Sequence, residues 1–127
     1  MNNNQHKILL VEDSESIRST LKLALELEGY QIQEATDGVE ALKILTSSPA
    51  PDLILLDMLM PNMNGWEFVE EIKKDSQSPL SKIPIVAVTA TSEKVQRIPK
   101  QIENVIKKPV QLDQLYQVVR RYCPHED

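Results

Sequence analysis

Leu53-Ile54-Leu55-Leu56-Asp57-Met58-Leu59-Met60-Pro61-Asn62-Met63-Asn64-Gly65 carries the strongest fold signal in the chain. Four consecutive apolar residues end abruptly in an acid, and a turn built around Pro61 and Gly65 follows. A short apolar run closed by turn residues reads as a strand buried on both faces, as in a parallel sheet. Asp57 then falls at the carboxyl end of a central strand, where open α/β sheets place their ligand sites. A charge at such a place is costly unless it is paired, metal-bound or functional. Pro61 fixes φ and lacks a donor, so the residues after Asp57 form a loop. Taken alone, Asp57 also reads as a cap for the next helix, and the rest of the chain has to decide.

Working outward, a second apolar run, Lys7-Ile8-Leu9-Leu10-Val11, likewise ends in acids, Glu12 and Asp13. Ser14 or Asp13 can cap the helix that follows, with Ile17, Leu21, Ala24 and Leu25 on one face and Arg18, Lys22 and Glu26 on the other. Gly29 ends that helix. Tyr30 to Ala35 alternates apolar and polar residues, the pattern of a half-exposed strand at a sheet edge. Asp37-Gly38 opens a second helix with Val39, Leu42 and Leu45 as its buried stripe. Trp66, Phe68, Val69 and Ile72 mark a third helix, and residues 75 to 82 read as loop. Ile83 to Val88 is a fourth strand, with Pro84 tolerated at its start, ending at Thr89-Ala90. Val105-Ile106 forms a brief fifth strand ending at Lys107-Lys108-Pro109. Leu112, Leu115, Tyr116 and Val119 carry the last helix.

Strands and helices alternate throughout, so the expected class is α/β, doubly wound, a five-stranded parallel sheet in a (βα)5 pattern. The 127 residues, 41% apolar, suit one globular domain spanning 1–127, with a core of about 7–122 and polar tails. A net charge of −5 supplies no basic excess for phosphate backbones, so nucleic-acid binding is not expected. No apolar run approaches the ~20 residues that span a bilayer. The polar start and the lone Cys123 fit a cytoplasmic protein without disulfides. His6 and His125 lie near opposite ends, too little for a histidine-ligated metal site.

Four of the five strands end in polar or charged residues: Glu12 and Asp13, Asp57, Thr89, and Lys108. In a parallel sheet these ends share one edge. Close carboxylates repel by roughly 4 kcal/mol per pair at an effective dielectric of ~20. A hard divalent cation preferring oxygen ligands, Mg²⁺ foremost, resolves that conflict. A carboxylate can also attack phosphorus, and metal, Lys108 and the Thr89 hydroxyl could together hold three phosphoryl oxygens. Each residue has a plainer reading in isolation: an acidic pair at a helix start, a threonine cap, a solvated lysine. Trp66 and the methionines Met58, Met60 and Met63 read as packing, and Cys123 as inert.

The Glu12-Asp13 pair, Asp57 in Asp-x-x-Met-Pro-x-Met-x-Gly, Thr89-Ala90 and Lys108-Pro109 together resemble a response-regulator receiver domain of the CheY type, from Lys7 to Tyr122. That resemblance implies the strand order 2-1-3-4-5 and a stand-alone, CheY-like receiver. It implies Asp57 as phosphoacceptor, with Mg²⁺ held by Glu12, Asp13, Asp57 and the Leu59 backbone carbonyl. It further implies that Thr89 and Lys108 bind the phosphoryl group, and that the Lys108-Pro109 bond is cis. The expected function is two-component phosphorelay signalling. A sensor histidine kinase or histidine phosphotransfer protein would be the donor, and an unidentified downstream protein the target. The chain would then be a switch and not an enzyme, catalysing at most its own phosphorylation and dephosphorylation.

Three departures matter. Val105 stands where the family has an aromatic residue that swings on activation, and a β-branched aliphatic cannot do this. The segment between Thr89 and Lys108 is short, so a truncated or irregular fourth helix is expected there. Leu59 and Thr91 fill the variable positions beside the site. Val105, Thr91 and Pro109 therefore mark the expected switch and partner surface. Two alternatives stand beside this reading: a degenerate receiver that signals without phosphorylation, and a small Mg²⁺-dependent phosphatase with Asp57 as nucleophile. The latter lacks the second acid expected at position 59. A dinucleotide-binding module is excluded, because the three glycines, Gly29, Gly38 and Gly65, form no phosphate loop.

Overall fold

A computed structural model describes residues 6–90 and 98–125. In chain order these form β1 (Lys7–Val11), α1 (Glu15–Leu27), β2 (Gln31–Ala35), α2 (Gly38–Ser47), β3 (Leu53–Leu56) and α3 (Gly65–Lys73). A 3-10 turn at Pro79–Lys82, then β4 (Ile85–Ala90), β5 (Asn104–Lys108) and α4 (Leu112–Tyr122), complete them. The five strands are parallel in the order β2-β1-β3-β4-β5, the doubly wound arrangement expected. β3 lies at the centre and all four of its residues are fully buried, because the sheet is covered on both faces. Alternate residues feed two cores. Leu9, Ile54 and Leu56 pack with Phe68 and Ile72 under α2 and α3. Ile8, Leu10 and Leu55 pack with Leu25 and Leu115 under α1 and α4.

Local chemistry explains most element boundaries. Ser14, not Asp13, caps α1 by accepting the Ile17 N–H, and Asp37 caps α2 by accepting from Glu40. Asn64 and Glu67 form a reciprocal capping box at α3. β2 is the sheet edge its alternation announces.

The structure corrects several assignments. Val39 is 40% exposed and Leu42 only partly buried. Helix α2 instead buries Gly38, Ala41 and Leu45, since Met63 packs directly over Gly38 and rotates the contact face toward the small residues. In α4 the buried set is Leu115, Val118 and Val119, with Leu112 exposed in the first turn. Pro84 lies just before β4, which starts at Ile85, and within the expected loop a 3-10 turn forms, capped by Ile83.

The expected short fourth helix falls largely on residues 91–97, outside the described residues. The residues that follow form a turn at Lys100-Gln101, closed by the Ile102 N–H on the Pro99 carbonyl, before β5 begins. Among the described residues no helix is long and apolar enough to cross a membrane.

Candidate functional site

The carboxyl ends of β1, β3, β4 and β5 meet at one edge of the sheet. Asp57 follows β3 immediately, and its N–H donates to the Val11 carbonyl at 2.9 Å. Glu12 follows β1 in the same way, its N–H donating to the Ala35 carbonyl at 3.0 Å. These bonds prolong the ladder one residue beyond each strand, so the two acids are set by the rigid sheet and not by loops. Both are buried, and Asp13 beside them is exposed. One oxygen from each of Glu12, Asp13 and Asp57 lies within 4.8 Å of the others.

Burial and the Glu12 charge push the Asp57 carboxyl up to about 7, against the lowering pull of Lys108 and of the Leu59 N–H. That N–H donates to Asp57 Oδ1 at 3.2 Å. Lys108, the last residue of β5, brings its ammonium to 2.7 Å from Glu12 Oε1 and 3.6 Å from Asp57 Oδ2. The closer partner of Lys108 is thus Glu12. The Lys108-Pro109 bond is cis. Thr89, next to last in β4, is buried with a hydroxyl that finds no hydrogen-bond partner among the described residues. A buried hydroxyl without a partner is costly, and a phosphoryl oxygen is the kind of acceptor that would satisfy it.

The donor set suits a small hard cation. Octahedral Mg²⁺ at about 2.1 Å from each oxygen places its ligands roughly 3 to 4 Å apart, within the spread of the three carboxylate oxygens. Two buried acids in contact also need a counter-charge that one lysine supplies only in part.

Behind the acids, the loop from Met58 to Gly65 is held by close packing. The Gly65 N–H donates to the Met58 carbonyl at 2.9 Å, and a Cβ on Gly65 would stand 2.7 Å from Met58 Cα. Asn62 adopts φ 65° and donates to Asp37 Oδ2 at 2.7 Å, tying the loop to the start of α2. Met58 is fully buried, and Met60, Met63 and Trp66 are partly buried against the same core, consistent with packing roles. Cys123 is buried and its thiol is pushed up to about 12 by burial, as an inert residue would be.

Of the expected switch positions, Val105 is half-buried against the α2–α3 core and Pro109 is exposed. Thr91 lies outside the described residues.

Sequence reasoning missed Arg18, which it left on the open side of α1. Its side chain is only 15% exposed; it donates to the Glu12 carbonyl at 2.9 Å and to Glu34 at 3.2 Å. The available signal was its place one turn into a helix whose start abuts the strand end.

A family model for the response regulator receiver domain matches residues 8–120. The chain is 31% identical over 128 residues to the response regulator MprA of Mycobacterium avium, covering 95% of this chain and 54% of that protein. It is 39% identical over 92 residues to a CpxR homolog of Haemophilus influenzae, a transcriptional regulatory protein, covering 72% of this chain and 37% of the other. The chain thus spans from about a third to about half of the length of these relatives.

Among solved structures, it resembles the signal receiver domain of a signal transduction histidine kinase from Syntrophus aciditrophicus. The TM-score is 0.79 at 32% identity, over 93% of this chain and 89% of that one. It also resembles the receiver domain of a sensor histidine kinase from Pseudomonas aeruginosa PAO1, which has a magnesium ion coordinated in its active-site cleft. Here the TM-score is 0.83 at 25% identity, over 94% of this chain and 98% of that one.

Proposed function

This chain belongs to the response regulator receiver domain family of two-component signalling, and on that premise we propose that Asp57 is its phosphoacceptor. Receiver domains are signalling switches and not classical enzymes, and they take phosphoryl groups from histidine kinases. The observation that carries the proposal is the convergence of Glu12, Asp13 and Asp57 within 4.8 Å beside the ammonium of Lys108.

A carboxylate oxygen of Asp57 attacks the phosphorus of a phosphohistidine on a sensor kinase or phosphotransfer protein. The new P–O bond gives an acyl phosphate as the P–N bond breaks and the imidazole leaves with the electron pair. Glu12, Asp13, Asp57 and the Leu59 carbonyl would hold Mg²⁺, which would supply positive charge for the transferring group. Lys108 neutralises a second phosphoryl oxygen, and the unpartnered Thr89 hydroxyl donates to a third.

Phosphorylation adds charge and acceptor oxygens, which draw Thr89 and Lys108 toward Asp57 and bias the surface around β5 and Pro109. Val105 is already packed against the core, so this surface shifts without an aromatic swing. The target is a protein.

The test is phosphorylation by acetyl phosphate, read by intact mass, on wild type and Asp57→Asn with and without Mg²⁺. One added phosphoryl group that requires Mg²⁺ and vanishes in Asp57→Asn is the expected result. No gain under any metal condition would overturn the proposal and leave a phosphorylation-independent interaction module.

A further inference from the structure

Resting on the reading that Glu12 and Asp13 hold Mg²⁺, we propose that Arg18 is a positioning residue that sets their peptide against an anchor on β2, Glu34. The last ladder bond uses the Glu12 N–H, so the Glu12 carbonyl lies past the ladder and needs another donor. Arg18 Nη1 supplies it at 2.9 Å, and Arg18 Nε donates at 3.2 Å to Glu34 Oε1. The other Glu34 oxygen accepts from Lys22 Nζ at 3.1 Å, but the pairing of β2 with β1, not this half-exposed lysine, fixes Glu34 in place. Lys22 and Arg18 keep Glu34 below the ordinary carboxylate range, and therefore charged.

The Glu12 carbonyl and the Asp13 N–H share one planar peptide unit. Fixing that carbonyl fixes where the chain carries Asp13, the exposed member of the acidic set, and how Glu12 enters the Ser14 turn. The Glu12 carboxylate in turn accepts the Ser14 N–H at 3.2 Å. Both ends of this link are rigid: Glu34 lies in a strand paired with β1, and Arg18 lies in α1. The guanidinium suits the task because its planar fork presents two donors at a fixed angle to two acceptors. A lysine can reach one acceptor or the other, but cannot hold both in register.

Charge alone predicts the opposite of positioning, which makes the inference sharp. Removing a cation near a divalent-metal site strengthens metal binding by relieving repulsion. Removing a positioning residue weakens it, typically by tenfold or more for a partner behind the ligands.

The experiment is calorimetric titration of Mg²⁺ into the full chain for wild type, Arg18→Ala, Arg18→Lys and Lys22→Ala. Amide hydrogen exchange of the metal-free proteins accompanies it. Arg18→Ala is expected to weaken Mg²⁺ binding about tenfold. Arg18→Lys loses nearly as much affinity while keeping the thermal stability that comes from pairing with Glu34. Lys22→Ala, which removes a cation from Glu34 without touching Glu12, binds Mg²⁺ as tightly as wild type or tighter. Faster exchange in Arg18→Ala is confined to Asp13 and Ser14. Equal or tighter Mg²⁺ binding by Arg18→Ala would overturn the inference, as would weakening matched by Lys22→Ala with faster exchange across the whole sheet. A wild-type chain that binds no Mg²⁺ would overturn the reading of the acidic site itself, a result distinct from a wild type that binds and an Arg18→Ala that binds equally.

Discussion

Half-buried Lys108 and buried Glu12 form an ion pair at 2.7 Å, closer than the 3.6 Å between the same ammonium and Asp57. The lysine thus stands between two buried carboxylates as their shared counter-ion. Breaking a buried pair by removing one partner leaves an uncompensated charge and costs about 3 kcal/mol or more. Lys108→Ala is therefore expected to lower the stability of the metal-free protein by about 3 kcal/mol. Mg²⁺ should recover much of that loss, because the metal replaces the missing positive charge. Thermal melts in EDTA and in excess Mg²⁺ check this: the gap between the two melting temperatures should be wider for Lys108→Ala than for wild type. Equal gaps would show that the lysine does not neutralise this cluster.

Asp57 gives a pH dependence with a definite sign. Its carboxyl is raised from the ordinary 3.8 to about 7, first by burial and then by Glu12. Between those values the folded protein holds a proton that the unfolded chain has released. Stability from this group is fully present below about pH 4 and is lost as pH rises through about 7. Metal-free wild type should accordingly lose melting temperature relative to Asp57→Asn as pH rises from 5 to 8. The Mg²⁺ affinity of wild type should climb over the same range, because metal and proton compete for one carboxylate. Parallel melting profiles for the two proteins would refute the assignment.

The sheet was legible because its signals are local. Leu53 to Leu56 is too short and too uniformly apolar for anything but a doubly covered strand, and the alternation from Tyr30 to Ala35 marks an edge. The acids and Lys108 were legible as strand ends, since parallel topology alone carries them to one edge. What stayed hidden depends on contacts between elements. Val39 fits the helical period of α2, but the packing of Met63 on Gly38 turns the buried face elsewhere. Arg18 looks like a solvent-facing helix residue until β2 brings Glu34 beside it. The preference of Lys108 for Glu12 over Asp57 is a matter of side-chain reach, which spacing does not encode. The Pro79–Lys82 turn is too short to show a period.

Gly65 is a position where a single methyl group would reach the site. A Cβ there would stand 2.7 Å from Met58 Cα and 2.6 Å from its sulfur, and the backbone atom cannot yield without moving the residue next to Asp57. Gly65→Ala is expected to cost roughly 1 to 3 kcal/mol, the range for forced overpacking. It should also slow phosphorylation by acetyl phosphate. At Gly38 the nearest atoms are Cγ, Sδ and Cβ of Met63, of which the first two can rotate away and the last stands at 3.0 Å, so Gly38→Ala should be the milder change on both counts. Chemical denaturation of the two variants gives the comparison, and a Gly38→Ala as damaging as Gly65→Ala would contradict it.

Leu59 should set how long the phosphoryl group persists. Its backbone N–H is engaged with Asp57, and the residue is 42% exposed. An isobutyl group there offers an attacking water no hydrogen bond. An amide in its place would supply both a donor and an acceptor for that water. Leu59→Asn is expected to shorten the phosphoryl lifetime severalfold, within the range that a single positioned polar group contributes to such a step. The substitution leaves the backbone bond to Asp57 and the buried acids in place, so Mg²⁺ affinity should hold steady. Phosphorylating both proteins, removing the donor and following the intact mass over time separates the outcomes. A lifetime unchanged by Leu59→Asn would mean that water reaches the phosphoryl group by a path this side chain does not control.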